Sequence, residues 1–432
     1  MMIRVRLARF ALALLAAAVT LAGTQASGAA ARSARPSWVA AWGLPVNGAD
    51  TSSLQGETVR VIARPTIGGS RVRIRLSNAS GSAPITLGDA HVAVAGDGAA
   101  ISGANVPVSF HGSPSVTIAP GQEVMSDPAR LTVTALSDLA VTVFVQSNPA
   151  DGTGDNELSS YYVAAGDRSS DSAGTGFGPS SMGGYYVTGI DTYTPNDGAI
   201  VALGDSITAG YAPATTTPPV DDEGWPYWLA NRLAALADEG GPRVSVIDMG
   251  ISGNQVTRNT ARYGASAESR LRRDVLDQTG LSGVLMMEGI NDIGDSGGSP
   301  DGVSGGTDSV PAPALEAGLA SIVQRVHGER AWILMSPLTP AGDPLAPASL
   351  YGPEYSSPSG VQERHDVNQW IRGRSRAYVG DVDFDRVLAD PSFPNHILAQ
   401  YNSGDNLHPN LAGQQAMAAS VGLRTLEWLV AQ

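Results

Sequence analysis

The sequence lacks cysteine and lysine entirely, and each absence excludes a chemistry. Without cysteine there is no thiol nucleophile, no thiolate metal site and no disulfide, so stability must come from core burial. Without lysine there is no Schiff-base chemistry and no serine–lysine dyad. All 27 basic residues are therefore arginines.

The sequence also has too little positive charge to suit a nucleic-acid ligand. Its formal net charge is −14, from 41 acidic and 27 basic residues. Because an acidic surface repels phosphate backbones, we do not expect a nucleic-acid partner.

No apolar run is long enough to cross a bilayer, which takes roughly 20 residues. The apolar residues 10–22 follow three arginines and precede a stretch of small residues, a pattern typical of a secretory signal. We therefore predict a signal peptide over residues 1–35, a mature chain that begins between Ser27 and Pro36, and a secreted, extracellular protein without stable membrane insertion. An uncleaved, anchored form is the alternative.

Residues 36–192 contain short alternating runs separated by turns. Residues 71–76 alternate strictly, which puts Val72, Ile74 and Leu76 on one face. Similar runs occupy residues 115–118, 131–134 and 139–145. This spacing predicts an all-β sandwich, which we interpret as an accessory domain.

Residues 193–432 have a different rhythm, in which continuous apolar runs alternate with helical patterns. The apolar runs are residues 199–203, 244–247, 284–287, 332–335 and 378–384. The helical patterns are residues 225–237, 267–276, 314–326, 362–372 and 409–429. This alternation predicts a doubly wound α/β domain with a parallel sheet, in which functional residues collect at the carboxyl ends of the strands.

A serine and a histidine–aspartate pair carry the candidate chemistry. Ser206 follows the first buried run, and Asp405 and His408 stand three residues apart near the other end of the chain. A serine hydroxyl needs a base to become a nucleophile, and a carboxylate can orient that base. Taken alone, Ser206 also fits a helix N-cap, and the aspartate fits a turn before a helix.

Two further residues are candidate oxyanion donors. Gly253 follows the second predicted strand, where a glycine lets the backbone N–H approach a substrate closely. Asn291 follows the third predicted strand and offers a side-chain amide. Either residue alone also fits a plain strand-to-loop turn.

Together these blocks resemble those of the SGNH (GDSL) hydrolases, a family that includes secreted two-domain esterases with an N-terminal β domain. Residues 204–208 resemble the nucleophile block, 251–253 the glycine block, 289–292 the asparagine block and 405–408 the final block, although Asp248 stands where many members have asparagine. The resemblance implies a flavodoxin-like sheet, ester hydrolysis without a metal or other cofactor, and an oxyanion hole formed by Ser206, Gly253 and Asn291. The β region resembles, much more loosely, the extra domain of polysaccharide deacetylases.

Two long polar loops, at residues 295–310 and 339–360, are expected to border the site. Tyr351 and Tyr355 in the second loop are candidate substrate contacts, and His396, which precedes the final block, is another. The aspartates of the first loop lack the spacing of a known calcium loop, so no metal is expected.

The preferred interpretation is a secreted serine esterase that removes short acyl groups, acetyl above all, from an acylated small molecule or polysaccharide through an acyl-enzyme. One alternative is a lipid-directed esterase or lysophospholipase with the same triad. A second is a non-catalytic carbohydrate-binding protein, against which the four intact blocks argue.

Overall fold

The structure is a computed structural model that describes residues 36–48, 54–148, 154–179, 181–211, 224–261, 263–294, 309–342, 353–374 and 382–430. The predicted signal peptide lies outside these residues. No helix among them is both long enough and apolar enough to cross a membrane.

The first part of the described chain is antiparallel β-structure. Its strands are β1 (Pro36–Gly43), β2 (Glu57–Ala63), β3 (Val72–Ser77), β4 (Ile85–Ala95), β5 (Ile101–Pro107), β6 (Ser115–Ile118), β7 (Glu123–Met125), β8 (Leu139–Ser147), β9 (Gly154–Ala165), β10 (Ser181–Tyr185) and β11 (Val187–Pro195). One sheet has the order β1-β11-β3-β7, and the other has the order β10-β9-β2-β8-β4-β5, with β6 paired to β4.

These two sheets share one apolar core. Val72, Ile74 and Leu76 of β3 are fully buried in it, as their alternation predicts, and they pack with Val59 and Val141 of the other sheet. The antiparallel β-region is thereby confirmed, with the two inner faces forming the core as in a sandwich. The division of the chain at residue 192 stays a prediction, since β11 ends at Pro195 and the next strand begins at Gly198.

The second part of the described chain alternates strands and helices. The strands are β12 (Gly198–Gly204), β13 (Val244–Gly250), β14 (Leu281–Met287), β15 (Trp332–Met335), β16 (Ala389–Asp390) and β17 (Phe393–Ile397). The helices are α1 (Ser206–Ala209), α2 (Trp225–Asp238), α3 (Ala267–Leu271), α4 (Ile290–Gly294), α5 (Ala312–Gly328), α6 (Pro358–Gly373), α7 (Phe384–Leu388), α8 (Leu411–Ser420) and α9 (Leu423–Val430). A π-helical turn (Arg272–Leu276) continues α3, and a 3-10 turn (Pro353–Ser356) precedes α6.

The main sheet of this part has the order β13-β12-β14-β15, with all neighbours parallel. Side chains of β12 alternate between two cores: Val201 and Leu203 face α3, α5 and α6, whereas Ile200 and Ala202 face α2, α7, α8 and α9. Helices therefore cover both faces, which confirms the doubly wound α/β fold. The strand order reverses at β12, because β13 lies on one side of it and β14 and β15 on the other. Such sheets bind their ligands at this point, at the carboxyl ends of the strands.

Two predicted strands do not form as expected. Residues 131–134 make only an isolated bridge, in which Val133 and Gly69 exchange two backbone hydrogen bonds. Of the predicted strand 378–384, residues 378–381 lie outside the described residues, and Phe384 begins α7 with Asp383 as its N-cap.

Buried polar contacts join the antiparallel and α/β regions along β13, the edge strand of the parallel sheet. The Thr66 hydroxyl donates to the Val246 carbonyl oxygen (2.9 Å) and accepts from its N–H (3.0 Å). The Ser245 hydroxyl donates to the carbonyl oxygen of Ala40 in β1 (2.6 Å), and Ala40 N–H donates to the Thr279 carbonyl oxygen (2.9 Å). The two Thr66 bonds satisfy backbone groups of Val246 that an uncovered edge would leave without protein partners.

Candidate active site

The nucleophile candidate lies on a tight turn between β12 and α1. Asp205 is the N-cap of α1, and its carboxylate accepts a hydrogen bond from the Ile207 N–H (2.9 Å). Gly204 allows the close approach to β14, since a Cβ there would lie 2.6 Å from the Met287 carbonyl oxygen. Ser206 thus begins a helix at the carboxyl end of the central strand, with only 6% of its surface exposed.

Ser206, His408 and Asp405 form a continuous hydrogen-bonded chain. The distance from Ser206 Oγ to His408 Nε2 is 2.8 Å, and the distance from His408 Nδ1 to Asp405 Oδ2 is 2.6 Å. A carboxylate can only accept, so Nδ1 carries the proton and Nε2 is left to accept the serine proton. The structure therefore brings together the three residues that the sequence predicted as a triad.

The hydrogen bonds around Asp405 favour its ionised, carboxylate form. Its Oδ1 accepts from the N–H groups of Leu407 (2.9 Å) and His408 (2.8 Å) and from the Ser403 hydroxyl (2.9 Å). Burial raises the pKa of Asp405, but the hydrogen bond and charge of His408 and the backbone N–H groups outweigh this and lower it to about 2. At neutral pH this negative charge favours the imidazolium that forms when His408 takes a proton.

The predicted oxyanion donors lie after the two strands that flank β12. Gly253 is in the loop after β13, and its φ of 72° and the Tyr263 ring, 2.4 Å from where a Cβ would stand, both require glycine. Asn291 is in α4, directly after β14. The Asn291 Nδ2 group donates to the Asn254 carbonyl oxygen (2.9 Å), which joins the two loops. Ile251 N–H bonds to the Gly204 carbonyl oxygen (3.0 Å) and ties the same loop to the nucleophile's strand.

The aspartate that departs from the usual glycine block has a local role. Asp248 Oδ1 accepts from the Gly250 N–H (2.8 Å) at the end of β13. The side chain therefore supports the turn that leads to Gly253.

A buried arginine, Arg270, lies behind the turn that carries Ser206. Its guanidinium donates to the carbonyl oxygens of Gly204 (3.0 Å) and Met249 (2.7 Å), and to Asn254 Oδ1 (2.9 Å). It also pairs with Asp274 (3.2 Å). Arg270 therefore fixes the ends of β12 and β13 relative to each other, a role that no local sequence motif announces.

Three buried acids, Asp205, Asp292 and Glu288, have raised pKa values. Burial raises the pKa of Asp205 to about 6, against the Ile207 hydrogen bond and the charge of His408. Burial raises the pKa of Asp292 to about 6 despite hydrogen bonds from Val256 and Thr257. Burial, with the charge of Asp205, raises the pKa of Glu288 well above its ordinary value.

Glu288 is unusual among these acids. Its nearest cationic atom is Arg270 Nη2 at 3.7 Å, and neither carboxyl oxygen has a hydrogen-bond partner among the described residues. A buried carboxyl without hydrogen bonds favours its neutral form.

An aromatic residue that belongs to none of the four sequence blocks lies beside His408. The Tyr211 ring packs edge-on against His408, with centroids 4.9 Å apart, and Tyr211 N–H bonds to the Ser206 carbonyl oxygen (2.9 Å). Its position five residues after the nucleophile, at the end of the turn that follows α1, is the only sequence signal for it.

The three candidate substrate contacts have different outcomes. Tyr351 lies outside the described residues. His396 is on β17, where its ring stacks on Phe393 with centroids 5.7 Å apart, and its role as a substrate contact stays a prediction. Tyr355 is 92% buried and donates a hydrogen bond to Asn291 Oδ1 (2.7 Å), so it contacts an oxyanion candidate.

No cluster of three or more metal-ligating side chains occurs within the described ranges. The loop whose aspartates were weighed as a calcium site is outside those ranges from residue 295 to 308.

Residues 202–416 match the family of GDSL-like lipases and acylhydrolases. The chain belongs to this family. Its activity class is therefore hydrolysis of carboxylic esters, and the resemblance drawn from the four blocks is confirmed. No curated protein matches the chain.

Several solved structures are similar to this esterase over about half of its length. The native aryl esterase of M. smegmatis is 17% identical, with a TM-score of 0.40, and the match covers 52% of this chain and 97% of that one. A carbohydrate acetylesterase from Sinorhizobium meliloti is 13% identical, with a TM-score of 0.39, over 53% and 98% of the two chains. A GDSL-like lipase from Bacteroides thetaiotaomicron is 17% identical, with a TM-score of 0.36, over 54% and 89%.

Proposed function

We propose that this esterase is secreted and hydrolyses short-chain acyl esters, with acetyl groups on a carbohydrate as the preferred substrate. The observation that carries the catalytic part is the hydrogen-bonded chain Ser206–His408–Asp405 at the carboxyl end of the central strand, with links of 2.8 and 2.6 Å. The proposed substrate preference is supported by the polar composition of the long loops and by the few large hydrophobic side chains that are exposed among the described residues.

In the proposed reaction, Ser206 Oγ attacks the ester carbonyl carbon while His408 Nε2 takes the hydroxyl proton. The negative charge on the former carbonyl oxygen is held by the N–H groups of Ser206 and Gly253 and by the Asn291 amide. As the tetrahedral intermediate collapses, His408 gives its proton to the leaving alcohol, and the acyl group remains on Ser206.

Water completes the cycle. His408 takes a proton from the water as its oxygen attacks the acyl carbon, and the carboxylic acid leaves as Ser206 regains its proton. Asp405 stays ionised throughout, since its pKa is about 2, and stabilises His408 when that ring is charged.

Preference for a short acyl group is supported by the scarcity of apolar surface. The long loops expected around the site are largely polar, a composition that suits sugar hydroxyls better than acyl chains. Among the described residues, the large hydrophobic side chains that are exposed are Phe393, Leu411 and Trp428, each on a different element. A lipid esterase would need a continuous apolar cleft instead.

The test combines one variant with a substrate series. Ser206→Ala should fold as the wild type does and lose nearly all turnover. A phosphonate should label the wild type covalently, with a mass increase of one adduct per chain, and should not label the variant. In a series of aryl esters from acetyl to decanoyl, kcat/KM should fall roughly 10- to 200-fold for each methylene added beyond the length that fills the acyl pocket. Residual high activity in the variant would refute the nucleophile, and a rise in kcat/KM toward decanoyl would favour the lipid-directed alternative.

Release of acetate from an acetylated polysaccharide, compared with its deacetylated control, tests the carbohydrate part. N-terminal sequencing of the exported protein tests secretion: we expect a start between Ser27 and Pro36, and a start at Met1 would refute cleavage.

A further inference from the structure

The side-chain amide of Asn291 is held at both of its ends. Its Nδ2 group donates to the Asn254 carbonyl oxygen (2.9 Å), and its Oδ1 accepts from the Tyr355 hydroxyl (2.7 Å). Asn291 is 97% buried and Tyr355 is 92% buried, so water does not compete freely for either bond. Both bonds constrain the orientation of the amide plane.

The two bonds fix which atom of Asn291 is able to donate a hydrogen bond to an oxyanion. The Nδ2 group has two protons, and one of them is used by the Asn254 carbonyl oxygen. A flipped amide would set Oδ1 against that carbonyl oxygen, acceptor against acceptor. The observed orientation therefore keeps the second proton of Asn291 Nδ2 for another acceptor.

The Tyr355 hydroxyl acts on the same amide by polarising it. A hydrogen bond donated to an amide oxygen draws electron density from the nitrogen, and linked hydrogen bonds strengthen one another in a low-dielectric interior. Tyr355 thus makes the remaining N–H of Asn291 a better donor.

Packing against neighbouring residues restricts the position of the Tyr355 ring. The ring lies against Gly294 of α4, where a Cβ would stand 2.0 Å from it, so only glycine leaves room. It also packs in a small apolar cluster with Ile290, Ala341 and Leu407. Leu407 is the neighbour of His408, so this cluster includes residues from both the helix that carries Asn291 and the turn that carries His408.

We infer that Tyr355 is a positioning residue of the oxyanion hole: its hydroxyl orients and polarises the Asn291 amide so that the free Nδ2 proton meets the developing negative charge. This inference rests on the proposed function of Ser206, Gly253 and Asn291. It replaces direct substrate contact, which the sequence suggested for this tyrosine.

The test is Tyr355→Phe, which keeps the ring over Gly294 and removes only the hydroxyl. Because the donor acts on charge that develops in the transition state, kcat should fall about 3- to 20-fold while KM changes less than about twofold. In an Asn291→Ala background the same substitution should have almost no further effect on kcat, since the amide through which it acts is gone.

The matched control is Tyr186→Phe. In the antiparallel region the Tyr186 hydroxyl accepts from Asn148 Nδ2 (2.9 Å), so this variant also removes a buried tyrosine–asparagine hydrogen bond. It should leave kcat unchanged. Thermal melting of all variants checks that they are folded at the assay temperature.

Each contrary result has a distinct meaning. An unchanged kcat in Tyr355→Phe, or an equal fold-loss in the Asn291→Ala background, would overturn the positioning role. A raised KM with unchanged kcat would instead make Tyr355 a substrate contact. If Ser206→Ala keeps its activity and the phosphonate does not label Ser206, the proposed function itself fails, whatever Tyr355→Phe does.

Discussion

Among individual residues, two aspartates near the nucleophile are tuned in opposite directions. Asp405 accepts three hydrogen bonds through Oδ1 and one from His408 through Oδ2, and its pKa is lowered to about 2. Asp205, one residue before Ser206, is fully buried, and its pKa is raised to about 6. The number of donors around each carboxyl, set against its burial, decides which one is firmly ionised when His408 becomes charged.

Asp405→Asn should lower kcat by roughly 10³–10⁴-fold with little change in KM. An asparagine can present an N–H to His408 Nδ1, which would favour the tautomer whose Nε2 carries a proton and cannot accept one from Ser206. The measurement is steady-state kinetics on an acetyl ester. Asp138→Asn, which removes the carboxylate bound to Arg64 in the antiparallel region, is the control and should leave kcat unchanged. A kcat within tenfold of the wild type would rule out an orienting role for Asp405.

The sequence predicted the triad because each member stands in a local block beside a strand end or a helix start. It did not predict the role of the Tyr355 hydroxyl, the place of Tyr211 against His408, or Arg270. These residues act through contacts between segments distant in the chain: Arg270 reaches Gly204 across 66 residues and Tyr355 reaches Asn291 across 64. No local spacing encodes such pairs.

At the level of strands and loops, the site depends on the close packing of Gly253, in the loop after β13, against the Tyr263 ring. Gly253→Ala should lower kcat by roughly 10²–10³-fold, the usual effect of losing one preorganised donor, since the new Cβ would displace the backbone or the Tyr263 ring. It should also destabilise the fold by about 1–3 kcal/mol more than the control does.

The control for that variant is Gly121→Ala. Gly121 has the same φ of 72° but no atom within 4 Å of its would-be Cβ, so the substitution carries the backbone strain without the clash. Equal melting temperatures for the two variants, with wild-type kcat in Gly253→Ala, would show that the close approach is unimportant.

The buried arginine of α3 supports a second prediction about these strand ends. Arg270→Met should lower the free energy of unfolding by about 3–5 kcal/mol, because it leaves the buried carbonyl oxygens of Gly204 and Met249 without this donor and removes the buried ion pair with Asp274. Denaturant unfolding measures the loss. Arg272→Met, two residues along the chain, removes an exposed arginine with surface ion pairs and should change stability little. A loss no larger than that of the control would contradict the role of Arg270.

Helices and buried parallel strands were predicted best, since long periodic runs leave few alternatives. The helix predicted at 225–237 is observed as Trp225–Asp238, and the strand predicted at 332–335 is Trp332–Met335. Residues 131–134 show the opposite case, because four alternating residues form a strand only if another chain segment pairs with them.

For the molecule as a whole, the tuned acids give stability a definite dependence on pH. Asp205 and Asp292 have folded pKa values of about 6, above their ordinary value of 3.8, so the native state holds protons that the unfolded state releases. The free energy of unfolding should therefore fall as pH rises from about 4 to above 6, by roughly 3 kcal/mol per carboxyl. Asp405 acts oppositely: its contribution is lost as pH falls from about 4 toward 2.

Denaturant unfolding at intervals between pH 3 and 8 checks this, with Asp205→Asn as the diagnostic variant. Asparagine keeps an acceptor for the Ile207 N–H but cannot ionise, so the variant should lose about 3 kcal/mol less than the wild type between pH 4 and 7. Identical pH profiles for the two proteins would refute the raised pKa of Asp205.

The first strand of the described chain has a consequence for the order in which the protein folds. Trp42 of β1 packs in the core of the antiparallel region, whereas Val39 and Ala41 pack in the core of the α/β region. The backbone of Ala40 forms hydrogen bonds with Ser245, which lies 205 residues later in the chain, and with Thr279. Contacts of such long separation form late and slowly. We therefore expect β1 to reach its final place only after the parallel sheet has formed, so that the antiparallel region and the α/β region complete their folding together.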